Sequence, residues 1–450
     1  MMQYFCRFVY FPCPHTAIVI ANALYACLQS WDIDCRVSSM TLDNCSTNDN
    51  LVKKMEDKIG ASNLLLEGKM LHMRCCAHIL NLIVKDGLDV IGPCIVSIRD
   101  SVAYWLATPK RYENFVKAAQ HQKIELTKKL CLDCKTRWNS TYIMLTVAIP
   151  YRKVFDRLCQ LDKDFIAPTA DDWNFASVVC DRLEIFHSLT ELFSGTKYVT
   201  ANVCFPKICE IKLKIKNWQL SEDRVIKEMS DAMIKKYDKY WSDIQGVLAV
   251  AVILDPRLKM TMLHACYIAL FGEENSEKYV NEAYEFLSSL MNEYQAQVEQ
   301  EGVGTSAASS SNTSSISALE VLEIFNELTA NKKITALRRT KNELDRYLEE
   351  ETLPCETGVD FDILGWWKVA GSRYPTLRMV ARDILAIPIT TVASESAFST
   401  SGRVLSEPRS RLTPKMLEAL MCSQDWLRYQ LEGMELCNCV VYSFHLMASY

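Results

Sequence analysis

The stretch TTVASESAFSTSGRVL, Thr390 to Leu405, sets one carboxylate, Glu395, among alanines, serines and threonines, with a basic, glycine-containing segment behind it. Small neighbours let a helix approach another body closely, and an acid with no basic residue four positions away is not explained by pairing on its own helix. Glu395 is then either an ordinary exposed helix residue or an acid pointed at a metal or a substrate. A second acid, Asp43, ends the segment CRVSSMTLDN, which reads as a strand with Met40 and Leu42 on one face and Val37 and Thr41 on the other. Mg²⁺ takes hard oxygen ligands, and a two-metal site that clamps a phosphoryl transfer needs carboxylates from separate elements. Spacing does not bring Asp43 to Glu395. From the residues alone, two unrelated surface acids are the simpler reading.

Basic clusters are the other source of chemistry. KKLCLDCKTRW (Lys128 to Trp138), KLKIKNW (Lys212 to Trp218) and NKKITALRRTK (Asn331 to Lys341) gather Lys and Arg, and the first two end on a tryptophan able to stack on a base. A solvated helix face is the simpler reading of the last two. The chain of 450 residues has a net charge of only -5, so any nucleic-acid contact must come from such local patches. Nineteen cysteines without a recurring spacing point to a reducing compartment. Cys131 and Cys134 form a CxxC with no second pair at finger spacing, so no zinc is expected there.

The elements that must position these residues fall into two patterns. Residues 2–11, MQYFCRFVYF, read as a strand ended by Pro12 and Pro14. TAIVIANALYACL contains an Ala21-Asn22-Ala23 that imitates a signal-peptidase site, but Ile20, Leu24, Cys27, Leu28 and Trp31 repeat at helical spacing and predict a core helix. A helix from about Asn48 turns Val52, Met55 and Ile59 inward and stops at Gly60, and GKMLHMRCCAHILNLIVKDGL reads as a short strand leading into a helix that closes at Gly87. Strands alternating with helices indicate an α/β layer. From Ile91 to Gln300 the pattern is helical almost throughout, including a helix capped by Thr169, Asp171 or Asp172 that carries Val179, Leu183 and Phe186 inward. Glu299 to Ser317 is a Gly/Ser/Thr-rich linker. The helix begun by Thr413 and Pro414 carries Leu417, Leu420, Met421 and Leu427 on one face. No stretch is long and apolar enough to predict a membrane span.

TLDNCSTND (Thr41 to Asp49), MRCCAHILNLIVKDGL, LDCKTRWNSTYIML, VILDPRLKM, FDILGWWK, YPTLRMVARDILAIP and VASESAFSTSGRVLSEPRSRLTPKMLEALMCSQDWL resemble, in order, the landmarks of plant hAT-superfamily transposases, nearest the BED-finger-bearing RICESLEEPER and DAYSLEEPER type. The resemblance runs from about His15 to Arg428. It implies an α/β RNase-H-like domain, interrupted by a large all-α insertion and followed by a helical C-terminal dimerisation region. The corresponding boundaries are 1–90 for the first part of the RNase-H-like domain, 91–298 for the insertion, 299–317 for the linker, 318–428 for the remainder and the dimerisation region, and 429–450 for a divergent tail. It also implies that Asp43 matches the second metal-binding aspartate and Glu395 the final glutamate of a DDE triad, with Mg²⁺ as their cation if the acidic site is retained, and no zinc in this chain. Trp138 matches a tryptophan associated with a flipped base at the cleaved DNA end, while packing is what its residue type alone suggests. Arg137 beside it, with Lys128, Lys129 and Lys135, is placed to contact phosphates. Cys75 and His78 match a CxxH element for which packing is the expected role. Trp366 and Trp367, with Leu417, Leu420, Met421 and Leu427, are expected in a dimer interface or a core.

Two parts of the family pattern, the BED finger and the strand with the first catalytic aspartate, would precede Met1, and no acid occurs among residues 1–31. The expected sheet is therefore incomplete, with residues 2–11 pairing directly with the Cys35 to Asp43 strand or leaving unpaired edges. The expectation is a nuclear, DNA-binding homodimer derived from a hAT transposase, without transposase activity, small-molecule substrate or membrane association. The alternatives are an active transposase if the true chain is longer, and a dimerisation module that has lost DNA binding.

Overall fold

The structure, a computed structural model, describes residues 2–11, 16–134, 137–195, 198–304, 342–354, 361–392, 395, 412–431 and 439–448. Lys135, most of the serine-rich linker and the basic run NKKITALRRTK lie outside the described residues.

Strand β1 (Met2–Phe11) precedes helix α1 (Ala17–Ser30), strand β2 (Met40–Leu42), helix α2 (Ser46–Ile59), strand β3 (His72–Arg74) and helix α3 (Cys76–Ile91). β1 does not pair with the segment before Asp43. It pairs in parallel with β4 (Cys439–Ala448), from Met2 against Cys439 to Phe11 against Ala448, so both have a backbone partner without the N-terminal sheet. The strand before Asp43 is also shorter than its alternation predicts, reduced to three residues and paired in parallel only with β3. Among the described residues the sheet layer thus consists of two separate two-stranded pairs.

α1 and α2 lie against these strands through a core of their own, in which Leu24, Leu28, Leu51, Met55 and Ile59 are buried with Leu64 and Leu71. Gly60 ends α2 at φ +84°, a conformation that favours glycine. Gly87, predicted to close the next helix, lies inside α3. A Cβ there would come within 2.8 Å of the Met233 side chain, so this glycine lets a partner helix approach rather than stopping its own.

That partner is part of the helical body, made of α4 (Val96–Leu106), α5 (Pro109–His121), α6 (Trp138–Ala148), α7 (Arg152–Leu161), α8 (Ala170–Phe193), α9 (Ala201–Trp218), α10 (Arg224–Ile253), α11 (Lys259–Phe271) and α12 (Glu273–Gly304). α8 begins with a reciprocal cap: Thr169 Oγ1 accepts from the Asp172 N–H, and the Asp172 carboxylate accepts from the Thr169 N–H. Its inner stripe, with Val179, Leu183 and Phe186, is buried as the 3.6-residue period requires. The helical spacing is therefore a faithful guide here. No helix among the described residues is long and apolar enough to cross a membrane.

The chain returns to this body after the linker as α13 (Glu343–Glu349), α14 (Ile363–Ala370), α15 (Pro375–Leu385) and α16 (Pro414–Leu431). The C-terminal end of α10 receives it. The Ile253 carbonyl accepts from the Tyr347 hydroxyl at 2.9 Å, and the Leu254 carbonyl accepts from the Trp367 indole at 2.8 Å. These carbonyls stand at the helix end, where the intrahelical ladder runs out of donors, so the aromatic N–H and O–H satisfy groups that would otherwise be buried unpaired. Asp255, wholly buried, is held by both Nε and Nη2 of Arg257 at 3.0 and 2.7 Å and by the Asn202 amide at 2.7 Å. Lys259 Nζ donates to the carbonyls of Tyr347 and Glu350 at 2.6 and 2.7 Å. The motif VILDPRLKM is therefore the dock for the C-terminal segments.

Candidate functional site

Asp43 is the first residue beyond β2, and its backbone is fixed before its side chain is used. Its carbonyl accepts from the Cys45 N–H and from the Asn48 side-chain amide, both at 2.9 Å. The segment leading to Glu395 is laid against the same strand ends: Thr41 Oγ1 donates to the Pro388 carbonyl, and the Cys76 N–H donates to the Ile389 carbonyl at 2.8 Å. β2, the start of α3 and residues 388–391 consequently converge.

Thr391 stands at the convergence. Its Oγ1 lies 2.8 Å from Asp43 Oδ1 and 3.1 Å from Glu395 Oε1, so the two carboxylates can be no further apart than these contacts laid end to end. Glu395 is one turn on, its N–H donating to the Thr391 carbonyl at 3.0 Å. The third neighbour of the hydroxyl is Cys75 Sγ, at 3.2 Å. A threonine hydroxyl has one proton, which satisfies one carboxylate at a time. Burial pushes the Cys75 thiol up to about 11, so at neutral pH it keeps its proton, and its sulfur accepts from the Thr391 hydroxyl and from the Thr391 N–H at 3.3 Å. Cys75 also caps α3 by accepting from the His78 N–H at 3.4 Å. The CxxH element is thus a helix cap with a thiol turned toward the acids.

Two carboxylates and a hydroxyl are hard oxygen donors of the kind Mg²⁺ takes, and the Asn44 side-chain amide next to Asp43 is buried with neither polar atom bonded to protein among the described residues. The donor set fits a hard divalent cation, which Asp43 and Glu395 would hold and which would polarise a phosphate oxygen. A protonated thiol is a poor ligand for such an ion, which leaves Cys75 as a support for Thr391. Among the described residues no three His, Cys, Asp or Glu side chains are grouped to hold a metal.

The basic segment around TRWNS is built differently. Asp133, with only 1% of its side chain exposed, is gripped by Arg99 Nε and Nη2 at 2.8 and 2.7 Å and receives the Thr141 hydroxyl at 2.9 Å. Burial alone would raise its carboxyl; the Arg99 and Thr141 contacts outweigh burial and hold it below the usual carboxylate range. Ser140 Oγ accepts from the Cys134 N–H at 2.7 Å, tying the turn to the first residues of α6. Arg137, at the N-cap of α6, is exposed, as are Lys128 and Lys129.

Trp138 is not. It is buried at 7% exposure, edge-on to Phe186 with the rings 6.4 Å apart, so in this conformation it is a core residue and offers no face to a base. At the start of α6 the Asp133–Arg99 clasp ties the preceding turn to α4, and Trp138 packs on Phe186 of α8 while Arg137 stays exposed.

The residues expected in the dimer region also divide. Trp367 is buried on α10, and Trp366 is partly buried and edge-on to it at 5.0 Å. Leu417 and Met421 are buried, whereas Leu420 and Leu427 are 44% and 57% exposed. Met416, 52% exposed, falls with Leu420 and Leu427 on one narrow stripe of α16 at 3.6 residues per turn, beside the buried stripe. The face expected to be single is therefore two adjoining ones, of which the inner is covered by this chain.

A scaffold of short strands and helices thus brings acids from opposite ends of the chain to one hydroxyl, with a helical body between them in sequence. Family profiles match in the same order: ZBED1 RNase-like domain over residues 2–70, ZBED1 RNase-like helical domain over 73–182, hAT-like transposase, RNase-H fold, over 202–294, and hAT family C-terminal dimerisation region over 343–427. The chain belongs to the hAT transposase-derived family. It is 35% identical over 431 residues to the zinc finger BED domain-containing protein RICESLEEPER 2 of Oryza sativa subsp. japonica, covering 92% of this chain and 59% of that protein. To RICESLEEPER 4 of the same plant it is 31% identical, covering 93% and 64%, and to DAYSLEEPER of Arabidopsis thaliana 28% identical, covering 92% and 58%. It thus spans less than two thirds of the length of these relatives.

Thr391, Arg99 and Asp255 are site or support residues that the sequence reading did not single out. Thr391 was detectable as the hydroxyl one turn before Glu395, and Asp255 as an acid two residues before Arg257. Nothing in the sequence links Arg99 to Asp133.

Proposed function

We propose that this chain is a hAT transposase-derived nuclear protein that binds DNA and forms a homodimer, and that taken alone it does not cut DNA. The observation that carries this reading is the meeting of Asp43 and Glu395 on Thr391, which keeps two acids of a DDE site in transposase-like company. Two-metal transfer uses a symmetric clamp, which two carboxylates and a hydroxyl leave incomplete. DNA contact is assigned to the exposed cations about Arg137, Lys128 and Lys129, and self-association to the outer stripe of α16. A mobility-shift assay on transposon-end duplex in Mg²⁺ or Mn²⁺, followed by denaturing electrophoresis, tests it: the DNA is retarded and remains intact.

The same observation favours a second reading. If a further aspartate-bearing strand completes the site, Asp43 and Glu395 are already close enough to serve in DNA cleavage and strand transfer. Adding that strand in a longer chain would then produce nicks that the present chain does not.

A further inference from the structure

The helical body carries one surface whose charge is opposite to that of the chain. Between Pro109 and Arg157 there are eleven Lys and Arg against four Asp and Glu, although the whole chain has a net charge of -5. One of those acids, Asp133, is buried and spent on Arg99. Lys110, Lys117, Lys128, Lys129, Lys153 and Arg157 are all exposed, and among the described residues none of them pairs with a carboxylate. On α9 and α10 the situation is reversed. Lys207 and Lys214 both meet Glu210, Lys212 meets Asp238 and Lys236 meets Asp86, so the cluster KLKIKNW is largely a neutralised face.

The unpaired cations are held together by packing. Phe115 of α5 lies edge-on to Tyr151 at 5.9 Å and to Phe155 of α7 at 5.3 Å, which sets the two helices side by side. The connection between α5 and α6 is strapped across them. The Tyr151 hydroxyl donates to the Lys128 carbonyl at 2.9 Å and accepts from the Lys128 N–H at 3.1 Å, while Lys129 Nζ sits 5.0 Å over the Tyr112 ring of α5. Lys110 and Lys117 lie two turns apart on one side of α5, and Lys153 and Arg157 one turn apart on α7. Like charges in such an array repel one another, and a polyanion with regularly spaced charges relieves that repulsion. The aromatic rings of this surface are already occupied: Phe115, Tyr151 and Trp138 are buried. What remains is charge without a reader of bases.

We infer that the α5–α7 face, with the connection strapped across it, binds the phosphodiester backbone of duplex DNA without reading its sequence. The inference rests on the DNA-binding reading above and moves the centre of contact from the start of α6 to these two helices. Each neutralised phosphate contributes about 0.9 to the slope of log K against log salt.

The test uses the full chain, a short labelled duplex of arbitrary sequence, and fluorescence anisotropy over a salt series. Replacing Lys110, Lys117, Lys153 and Arg157 together by Glu should flatten the slope by about 3.6 and weaken binding by at least tenfold at low salt. Replacing Lys207 and Lys214 by Glu should change neither. If the fourfold Glu variant does not melt like the parent, the Gln versions of the same four replace it. Steep binding by the parent that the fourfold variant retains would overturn the assignment of this face and leave the DNA-binding reading standing. No binding by the parent would overturn both. Competition by polyglutamate as strong as by unlabelled duplex at equal charge would point to an acidic protein partner and also overturn the inference.

Discussion

Thr391 Oγ1 lies 2.8 Å from Oδ1 of Asp43 across 348 residues of sequence. The contact ties the last turn before Glu395 to the end of β2, and through it one side chain touches both acids. Hydrogen bonds to a charged group contribute about 1.5 to 3 kcal/mol when partly shielded from water. Thr391→Val keeps the shape and removes the proton, so urea denaturation should show a loss of about 1 to 2 kcal/mol, with Thr391→Ser near the parent. A Val variant as stable as the parent would mean that the hydroxyl does not hold the acids.

The Arg99–Asp133 clasp should behave as a buried pair broken from one side. Arg99→Met leaves Asp133 charged with its main partner gone and is expected to cost about 3 kcal/mol, more than replacing both residues by apolar ones of similar size. Because the Asp133 carboxyl is held below its ordinary range in the folded chain, its contribution is present above the unfolded value and lost as the pH falls through the folded one. Stability should therefore drop as the pH goes below about 4, and Asp133→Asn should flatten that part of the curve while lowering stability at neutral pH. Melting temperatures across the acid range check the sign.

The split face of α16 separates folding from association. Leu417→Asp places a charge in the core and should destabilise the C-terminal region, whereas Leu420→Asp alters only the exposed stripe and should leave the helices formed. Sedimentation over a range of concentrations is expected to show a dimer for the parent and a monomer for Leu420→Asp. A Leu420→Asp dimer of unchanged affinity would move the interface elsewhere.

Gly87 offers a check on the α3–α10 crossing. Alanine improves helix propensity by about 1 kcal/mol, but its Cβ would meet Met233 at 2.8 Å. The contact is with the inner part of a buried Met233, with Met229 close behind, so Gly87→Ala should cost about 1 kcal/mol or more despite its propensity, and the branched Gly87→Val about 2 kcal/mol or more. Chemical denaturation of the two variants, with Met233→Ala as the relieving second substitution, measures the crowding.

Helices were legible in the sequence wherever period and caps agreed. The inner stripe of α2 needs only local rules and is found where the sequence places it, and of the three cap candidates at the start of α8, Thr169 is the cap, with Asp172 as its reciprocal partner. Gly87 shows the limit, because a glycine that ends a helix and one that admits a neighbour look alike until the neighbour is known. The strands were harder. β1 reads as a strand from its residues, but its partner lies at the far end of the chain, and no local pattern specifies a parallel register. For the acids, residue type indicated Asp43 and Glu395 separately, and the family pattern supplied their relation. Residue type alone suggested packing for Trp138, and it is buried, whereas the family pattern pointed it at a base; the ion pair between Arg99 and Asp133 is what sequence spacing does not encode.

The most direct measurement incubates the purified chain with labelled transposon-end duplex in Mg²⁺ and then in Mn²⁺, and resolves the strands under denaturing conditions beside a native gel. A shifted complex whose DNA strands are uncut in both metals is expected, for the parent and for Glu395→Gln alike. Metal-dependent nicking by the parent that disappears in Glu395→Gln would contradict it, and would make this chain a working transposase core.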